Sequence, residues 1–558
     1  MAGGSSDRER TRVGIEAVGL ALLAAFPLLP YLLYLLDHRV ERFSFIGDFA
    51  GLELATRYVP SGHTLLGPYS RFGFSHPGPL YFYALAPTYA LWGKTSTGIL
   101  AGAAAINTAA IMVTVGAVRL ATTRVNAVAV ALVMLAWLGA FGDACANPWN
   151  PLVVVLPLTA FLVLVSLVAN GSWRALPFAV LAGVFAAETH LSTVPAVLGV
   201  SAVACAVVTL RVRRKSLAFD RHARSWTLAS LVLLVLAVAP PVVEELGSKQ
   251  GNISKLVHFF SARTEPMRPF SAALTDWTVA TSWLPDRLLS SSVAEELYPE
   301  VMRSGPPWNH ITATGLRASL AVLVLAGGAA VLARRAKDWV SIAFLGFGAL
   351  TSVLSVMALR AIVGVNYIYL LFWTTAGTTL LWMGIVSTLG NVLAGLAAPA
   401  RRPAVARVLA AGALAATFFV AVRVSSFQRA FLGRETLRPV VDTTERQAYE
   451  VLRARLSETG ETPVLHAFGA WHYGLAFLLE ASKDGIDARI VERDRWIFGR
   501  QPRGTEGLAH PLHVFVDTPD AKVFTKDCMQ KLATVGTIEL YTSPVDVDVC
   551  PLEPRRAP

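Results

Sequence analysis

The segment GDFAGLEL places two carboxylates, Asp48 and Glu53, five residues apart. It is followed by LGPYSRFGFSHPGPLYFY, which adds Arg71 and His76. In a soluble protein two acids at that spacing would read as a solvated helix face. Here they lie between apolar segments, among aromatic, Gly and Pro residues, where ionisable groups tend to be functional. A carboxylate at a lipid boundary is suited to take the proton of an acceptor hydroxyl while a lipid-linked donor enters from the side. Glu53, Arg71 and His76 are then candidates for holding substrate around Asp48.

Further along, GDACANPWNP carries Asp143 with Asn147, Trp149 and Asn150, and ETHLS carries Glu188 and His190. Both also have a structural reading. Asp143 and Asn147 sit beside Pro148 and Pro151, where side-chain caps and turns are expected. Glu188 and His190 would equally serve as a hydrogen-bonded pair closing a tight turn. A divalent metal held by Asp48, Glu188 and His190 would be ordinary mixed carboxylate and imidazole ligation, but the spacing carries no zinc signature, and the cofactor is left open. Arg360, in ALRAIVGVNYIYL, is followed by Asn366, Tyr367 and Tyr369. A guanidinium matches phosphate oxygens bidentately, so Arg360 with Tyr367 is a candidate lipid-phosphate site, and Arg71 is a second one. The structural alternative for Arg360 is a side chain snorkelling from a helix end.

These residues must be positioned by a chain that is mostly apolar. Of 558 residues 54% are hydrophobic and 16% charged, against about 25% charged in soluble chains, and the mean hydropathy is +0.51. The net charge of +11 resides in short Lys/Arg clusters between apolar runs, which indicates orientation in a membrane and not nucleic-acid binding. Membrane helices need roughly 20 apolar residues. Runs near 14–36, 98–118, 126–142, 151–169, 175–188, 193–210, 226–243, 317–333, 339–359, 364–389 and 405–424 predict about eleven spans.

The clusters at Arg8–Arg12, Arg119/Arg124, Arg174, Arg211–Lys215, Arg334–Lys337 and Arg401–Arg407 all fall on one side if every run crosses. The positive-inside rule makes that side the cytoplasm, with the N-terminus inside and the region after about Arg423 outside. The stretch Pro79 to Trp92 is too short to span and predicts a juxtamembrane helix on the outer face, with Tyr81, Tyr83, Tyr89 and Trp92 at headgroup depth. Two outer loops follow, Asp37 to about Thr97 and Glu244 to about Thr314. The second is polar, stands clear of the bilayer and carries Trp277, Trp283 and Trp308. The expected architecture is an all-α membrane bundle over 1–425 and an extracytoplasmic α/β domain over 426–558. In the latter, strands at Val464–Phe468, Ala488–Val491 and His513–Asp517 flank a helix from Trp471 to Leu479.

Together these features resemble the GT-C membrane glycosyltransferases, which include protein mannosyltransferases, aminoarabinose transferases and arabinofuranosyltransferases. The resemblance rests on a first helix followed by a long outer loop, with Gly47-Asp48 at the acidic position. His76-Pro77-Gly78-Pro79-Leu80-Tyr81 is similar to the HPPLY pattern, with one Gly inserted. It covers the first 200 or so residues closely and the rest in architecture, and no paired-acid motif follows the second span. It implies an inverting glycosyltransferase of a bacterial plasma membrane. The donor would be a polyprenyl-phosphate sugar, and the acceptor an envelope glycan, lipid or protein. The chain shows no GxxxxGK[ST] and no strand-anchored GxGxxG for a nucleotide-linked donor. The rival class is a transporter or flippase of a lipid-linked or small solute, which would place charges at mid-span, often in two related halves. A catalytically inactive scaffold is a third. Cys145 and Cys205 read as small apolar residues, and for Cys528 and Cys550 a disulfide in an oxidising compartment and a pair of free thiols both stay open.

Overall fold

The computed structural model describes residues 3–37, 44–263, 265–289, 312–397, 401–433, 443–466, 470–491, 508, 510–518 and 529–544. Its helices are α1 Gly3–Ala25, α2 Leu29–Asp37, α3 Gly47–Arg57, α4 Leu80–Leu91, α5 Ser96–Ala121, α6 Arg124–Ala146, α7 Asn150–Val153, α8 Val155–Ala169, α9 Leu176–Thr189 and α10 Val194–Arg213. They continue with α11 Arg221–Gly247, α12 Asn252–Ser261, α13 Phe270–Leu289, α14 Thr312–Arg335, α15 Trp339–Arg360, α16 Tyr369–Phe372, α17 Thr375–Leu396, α18 Arg402–Gly433, α19 Thr443–Thr459 and α20 Trp471–Lys483.

Ten helices among the described residues are long and apolar enough to cross a membrane. Ten of the eleven apolar runs are thereby accounted for. The run at 175–188 forms α9, of 14 residues, about 21 Å at 1.5 Å per residue, against a hydrocarbon core of about 30 Å. The helix expected at Pro79–Trp92 is α4, of 12 residues, about 18 Å long and too short to span. Its tyrosines depart from expectation. Tyr81 and Tyr89 are buried inside the protein, where the Tyr89 hydroxyl donates to the buried Glu53 carboxylate.

The chain divides into two compact units. The first comprises Met1–Asp37, Ala103–Val243 and Val257–Leu432. Every residue of α8 is buried, as a helix apolar on all sides must be. Helix α11 instead exposes Leu228, Leu231, Val232 and Val235, as suits a lipid-facing helix. Helices α15 and α17 approach closely through glycines. A Cβ at Gly348 would meet Leu381 at 2.9 Å, one at Gly377 would meet Thr351 at 2.9 Å, and one at Gly384 would meet Leu345 at 2.7 Å. Small residues let membrane helices pack backbone to backbone.

One end of this bundle is tied by polar contacts. Glu16 accepts from Arg119 Nη2 at 2.6 Å and pairs with Arg124. Asn391 Nδ2 donates to Asn126 Oδ1 at 2.6 Å and to Asp338 Oδ2 at 2.7 Å. Asn170 Nδ2 reaches the Trp339 carbonyl at 3.3 Å, and Arg211 Nη1 the Ala169 carbonyl at 2.5 Å. The basic clusters of α1, α5, α6 and α10 and the segment between α14 and α15 therefore share one end.

The stretch 244–314 departs from the expected loop. Residues 252–261 and 270–289 are helical, and α13 packs against α6, α14 and α15 with Ala273, Trp277, Ala280 and Leu284 buried. That three-to-four-residue spacing gives α13 a core-facing stripe. The Trp283 side chain and all of Trp308 lie outside the described residues.

The second unit joins His38–Gly102, Glu244–Leu256 and Gly433–Pro558. Among the described residues its sheet has five strands, β1 Thr462–Leu465, β2 Arg489–Ile490, β3 Pro511–Asp517, β4 Gln530–Val535 and β5 Ile538–Ser543, in the order β2-β1-β3-β5-β4. β1 is parallel to β2 and β3, and β3, β5 and β4 are antiparallel. Five consecutive residues of β3 are buried, the continuous apolar run of a strand covered on both faces. The three strands and the intervening helix read from sequence are β1, α20, β2 and β3. The structure adds two strands that the sequence reading did not include, β4 and β5, which pair antiparallel.

Candidate active site

Asp48 lies in the first turn of α3, which begins where extended Ile46 meets Gly47 at φ 55°. That positive φ favours glycine. A Cβ at Gly47 would also stand 3.4 Å from His472 Cβ and 3.7 Å from Trp471 Cη2. Gly51 is close to Leu475. At the far end Arg57 donates to Ser482, Nε to Oγ and Nη2 to the carbonyl, both at 2.9 Å. The contacts advance in one direction along both helices, so α3 and α20 run parallel and their N-termini meet.

Asp48 is half-buried, and its Oδ1 accepts a hydrogen bond from the Tyr69 hydroxyl. Tyr69 belongs to a small hairpin with a bridge between Tyr69 and Ser75. Gly67 N donates to His76 O at 3.1 Å and His76 N to Pro68 O at 2.7 Å. Asn252 braces the hairpin as a strand would. Its Oδ1 accepts from Ser75 N at 2.7 Å and its Nδ2 donates to Ser75 O at 2.9 Å, while its own amide donates to Glu244 Oε2 at 2.9 Å.

Glu53 is different. It is 0% exposed and accepts from Tyr89 Oη at 3.1 Å and Ser96 Oγ at 2.6 Å. Lys483 Nζ stands 3.0 Å from its Oε1 and 3.0 Å from Glu480 Oε1. Neither the solvated-face reading nor a substrate-facing role fits this geometry. Both oxygens are engaged by α4, α5 and α20, which makes Glu53 a brace. Burial would push the Lys483 ammonium down, but the Glu53 and Glu480 carboxylates outweigh it and hold Lys483 above its ordinary range.

His76 is half-buried by exposure, and desolvation pushes its imidazole down to about 4, so it is neutral near pH 7. Arg71 is exposed, with its guanidinium 5.0 Å over the Phe72 ring.

The remaining candidates lie in the first unit, where the structure draws three motifs together. Asn150 Nδ2 donates to the Thr189 carbonyl at 3.1 Å, between Glu188 and His190, which are each 3% exposed. The Trp149 ring lies 4.6 Å from that of Tyr369, and Tyr367 stacks on Tyr369 at 5.5 Å and 13°. Asn147 Oδ1 accepts from Trp149 N at 2.8 Å, the local turn bond expected of Asn beside Pro. The Asp143 side chain lies outside the described residues. Arg360 ends α15. Its Nε donates to the Arg268 carbonyl at 3.3 Å, and its carbonyl accepts from Arg268 N at 3.0 Å. Arg268 in turn pairs with Asp276 at 2.6 Å, which also accepts from Asn366 at 3.1 Å.

Among the described residues no three His, Cys, Asp or Glu side chains converge as a metal site would require. Cys528 and Cys550 lie outside the described residues. Sequence reading missed Tyr69 and Lys483 as partners of the acids, Trp471 and His472 beside Gly47, and Asn252 as the brace of the hairpin. Tyr69 lay inside a quoted motif, whereas Asn252 and Lys483 carry no local signal.

No family model and no curated protein matches the sequence. Among solved structures, ArnT from Cupriavidus metallidurans is similar, both in its apo state and bound to undecaprenyl phosphate. Each superposes with a TM-score of 0.50 at 13% identity, over 92% of this chain and 97% of that one. The chain thus has the fold of ArnT, and with its ten long apolar helices it is a multi-pass membrane protein.

Proposed function

We propose that the protein is an inverting glycosyltransferase that moves a sugar from a polyprenyl-phosphate carrier to an acceptor outside the plasma membrane of a bacterium. The observation that carries this reading is the contrast between the two carboxylates of α3. Glu53 is buried and neutralised by Lys483, while Asp48 is half-buried and oriented through one oxygen by Tyr69. Asp48 takes the proton of the acceptor hydroxyl as that oxygen attacks the anomeric carbon. The bond from that carbon to the phosphate oxygen breaks, and polyprenyl phosphate leaves with the bonding pair. In-line attack inverts the anomeric configuration. The binding of undecaprenyl phosphate by a protein of the same fold supports this donor class.

Arg360, with Tyr367 nearby in sequence, and Arg71 are assigned to the phosphate, while His76, Asp143, Glu188 and His190 are assigned to substrate contacts. The shared end of the basic clusters supports a cytoplasmic N-terminus, and Arg211 at the Ala169 carbonyl supports α9 as the eleventh pass, and with it an external C-terminal domain. The test is transfer by purified protein from a polyprenyl-phosphate sugar. Asp48→Asn keeps size and removes the base, so turnover should fall by about 10²–10⁴-fold with donor binding retained. Wild-type turnover by Asp48→Asn would remove the mechanism and bring a transporter to the front.

A further inference from the structure

The beginning of α20 differs from the rest of the helix. Residues 473 to 479 are all buried, whereas Trp471 and His472 are half-buried, at the point where the register of α3 and α20 brings them beside Gly47, the residue before Asp48. The Trp471 ring meets the Tyr69 ring edge-on, at 5.8 Å and 76°, and Tyr69 is the residue that holds Asp48. The His472 ring stands 5.9 Å from Trp471 at 83°. This arrangement is fixed from the other end, where Arg57–Ser482 and Glu53–Lys483 prevent α20 from sliding along α3.

We infer that the C-terminal domain supplies part of the substrate site, with Trp471 and His472 forming the wall that receives the sugar ring beside Asp48. An indole offers a broad, stiff apolar face to the C–H side of a sugar ring, and the neighbouring imidazole gives that wall a polar edge. No other pair on α20 combines partial exposure with this position. The inference rests on Asp48 acting as the base, and it makes the C-terminal domain a determinant of which sugar is accepted.

The test measures binding of two probes, farnesyl-phosphoryl-arabinofuranose and farnesyl-phosphoryl-mannopyranose, to the full-length protein in nanodiscs, alongside transfer. Trp471→Ala and His472→Ala should each weaken binding of the better probe by roughly tenfold, and Trp471→Phe, which keeps an aromatic face, by no more than about threefold. Asp48→Asn should bind it as the wild type does. Thermal midpoints within a few degrees of wild type for Trp471→Phe and His472→Ala identify variants that remain folded. Equal binding by the wild type, Trp471→Ala and His472→Ala, or no binding of either probe by the wild type, overturns the inference. Undiminished transfer by Asp48→Asn overturns instead the assignment of the base, so the two failures are distinguishable.

Discussion

Lys483→Met keeps most of the length of the side chain and deletes the ammonium that faces Glu53 and Glu480 at 3.0 Å. Glu53 is 0% exposed and Lys483 19%, so water replaces little of the lost interaction. Removing one partner of such a pair costs about 3–5 kcal/mol, because a buried charge is left uncompensated. Tyr89 and Ser96 still donate to Glu53, which places the expectation at the lower end, about 3 kcal/mol. At about 2–4 °C per kcal/mol for a body of this size, the midpoint should fall by roughly 6–12 °C. The double variant Glu53→Gln with Lys483→Met leaves no buried charge in the pair and should recover most of that loss. The assay is a thermal double-mutant cycle in detergent, followed by transfer kinetics, since α3 also carries Asp48. The folded-state Lys483 pKa is raised, so its contribution is complete below the ordinary lysine range and is lost only as pH rises through the raised value. The cycle should therefore read the same from pH 6 to 9. A midpoint change of less than about 2 °C, or a double variant as unstable as the two singles added, would refute the buried-pair reasoning.

Arg360→Ala removes one 3.3 Å hydrogen bond to the Arg268 carbonyl, about 1 kcal/mol. It should fold normally, but its apparent donor KM should rise more than its kcat falls, as measured with a polyprenyl-phosphate sugar. His76 titrates near 4 in the folded chain and near 6.5 when unfolded, so the unfolded state binds the extra proton first. Stability should be constant above about pH 6.5 and fall as pH drops toward 4, and denaturation midpoints of His76→Gln should lose that component. Sidedness is checked by Glu458→Cys on α19, in a background without the four native cysteines. An impermeant thiol reagent should label it in intact cells, and labelling only after lysis would place the C-terminal domain in the cytoplasm.

Much of this protein was legible in the sequence, because a membrane helix is specified locally. Twenty consecutive apolar residues must satisfy their own backbone hydrogen bonds in lipid, whatever the remainder of the chain does. The strands of the C-terminal sheet were legible for a similar reason, since β1 and β3 are short apolar runs bounded by turn residues. The tertiary structure decided what the polar residues do. Asp48 and Glu53 occupy the same helix, and nothing in GDFAGLEL states which is fully buried against Lys483 and which is half-buried beside Tyr69. The answer came from Lys483 and Ser96, brought to Glu53 by the folded chain, and from a hairpin that turns Tyr69 toward Asp48. Arg57 and Ser482, whose contact sets the register of α3 against α20, are 425 residues apart. Partners at such separations leave no periodicity to read, because side-chain spacing reports only on neighbours within one helix or strand. Burial of Glu53 and partial exposure of Asp48, Trp471 and His472 are consequences of packing alone.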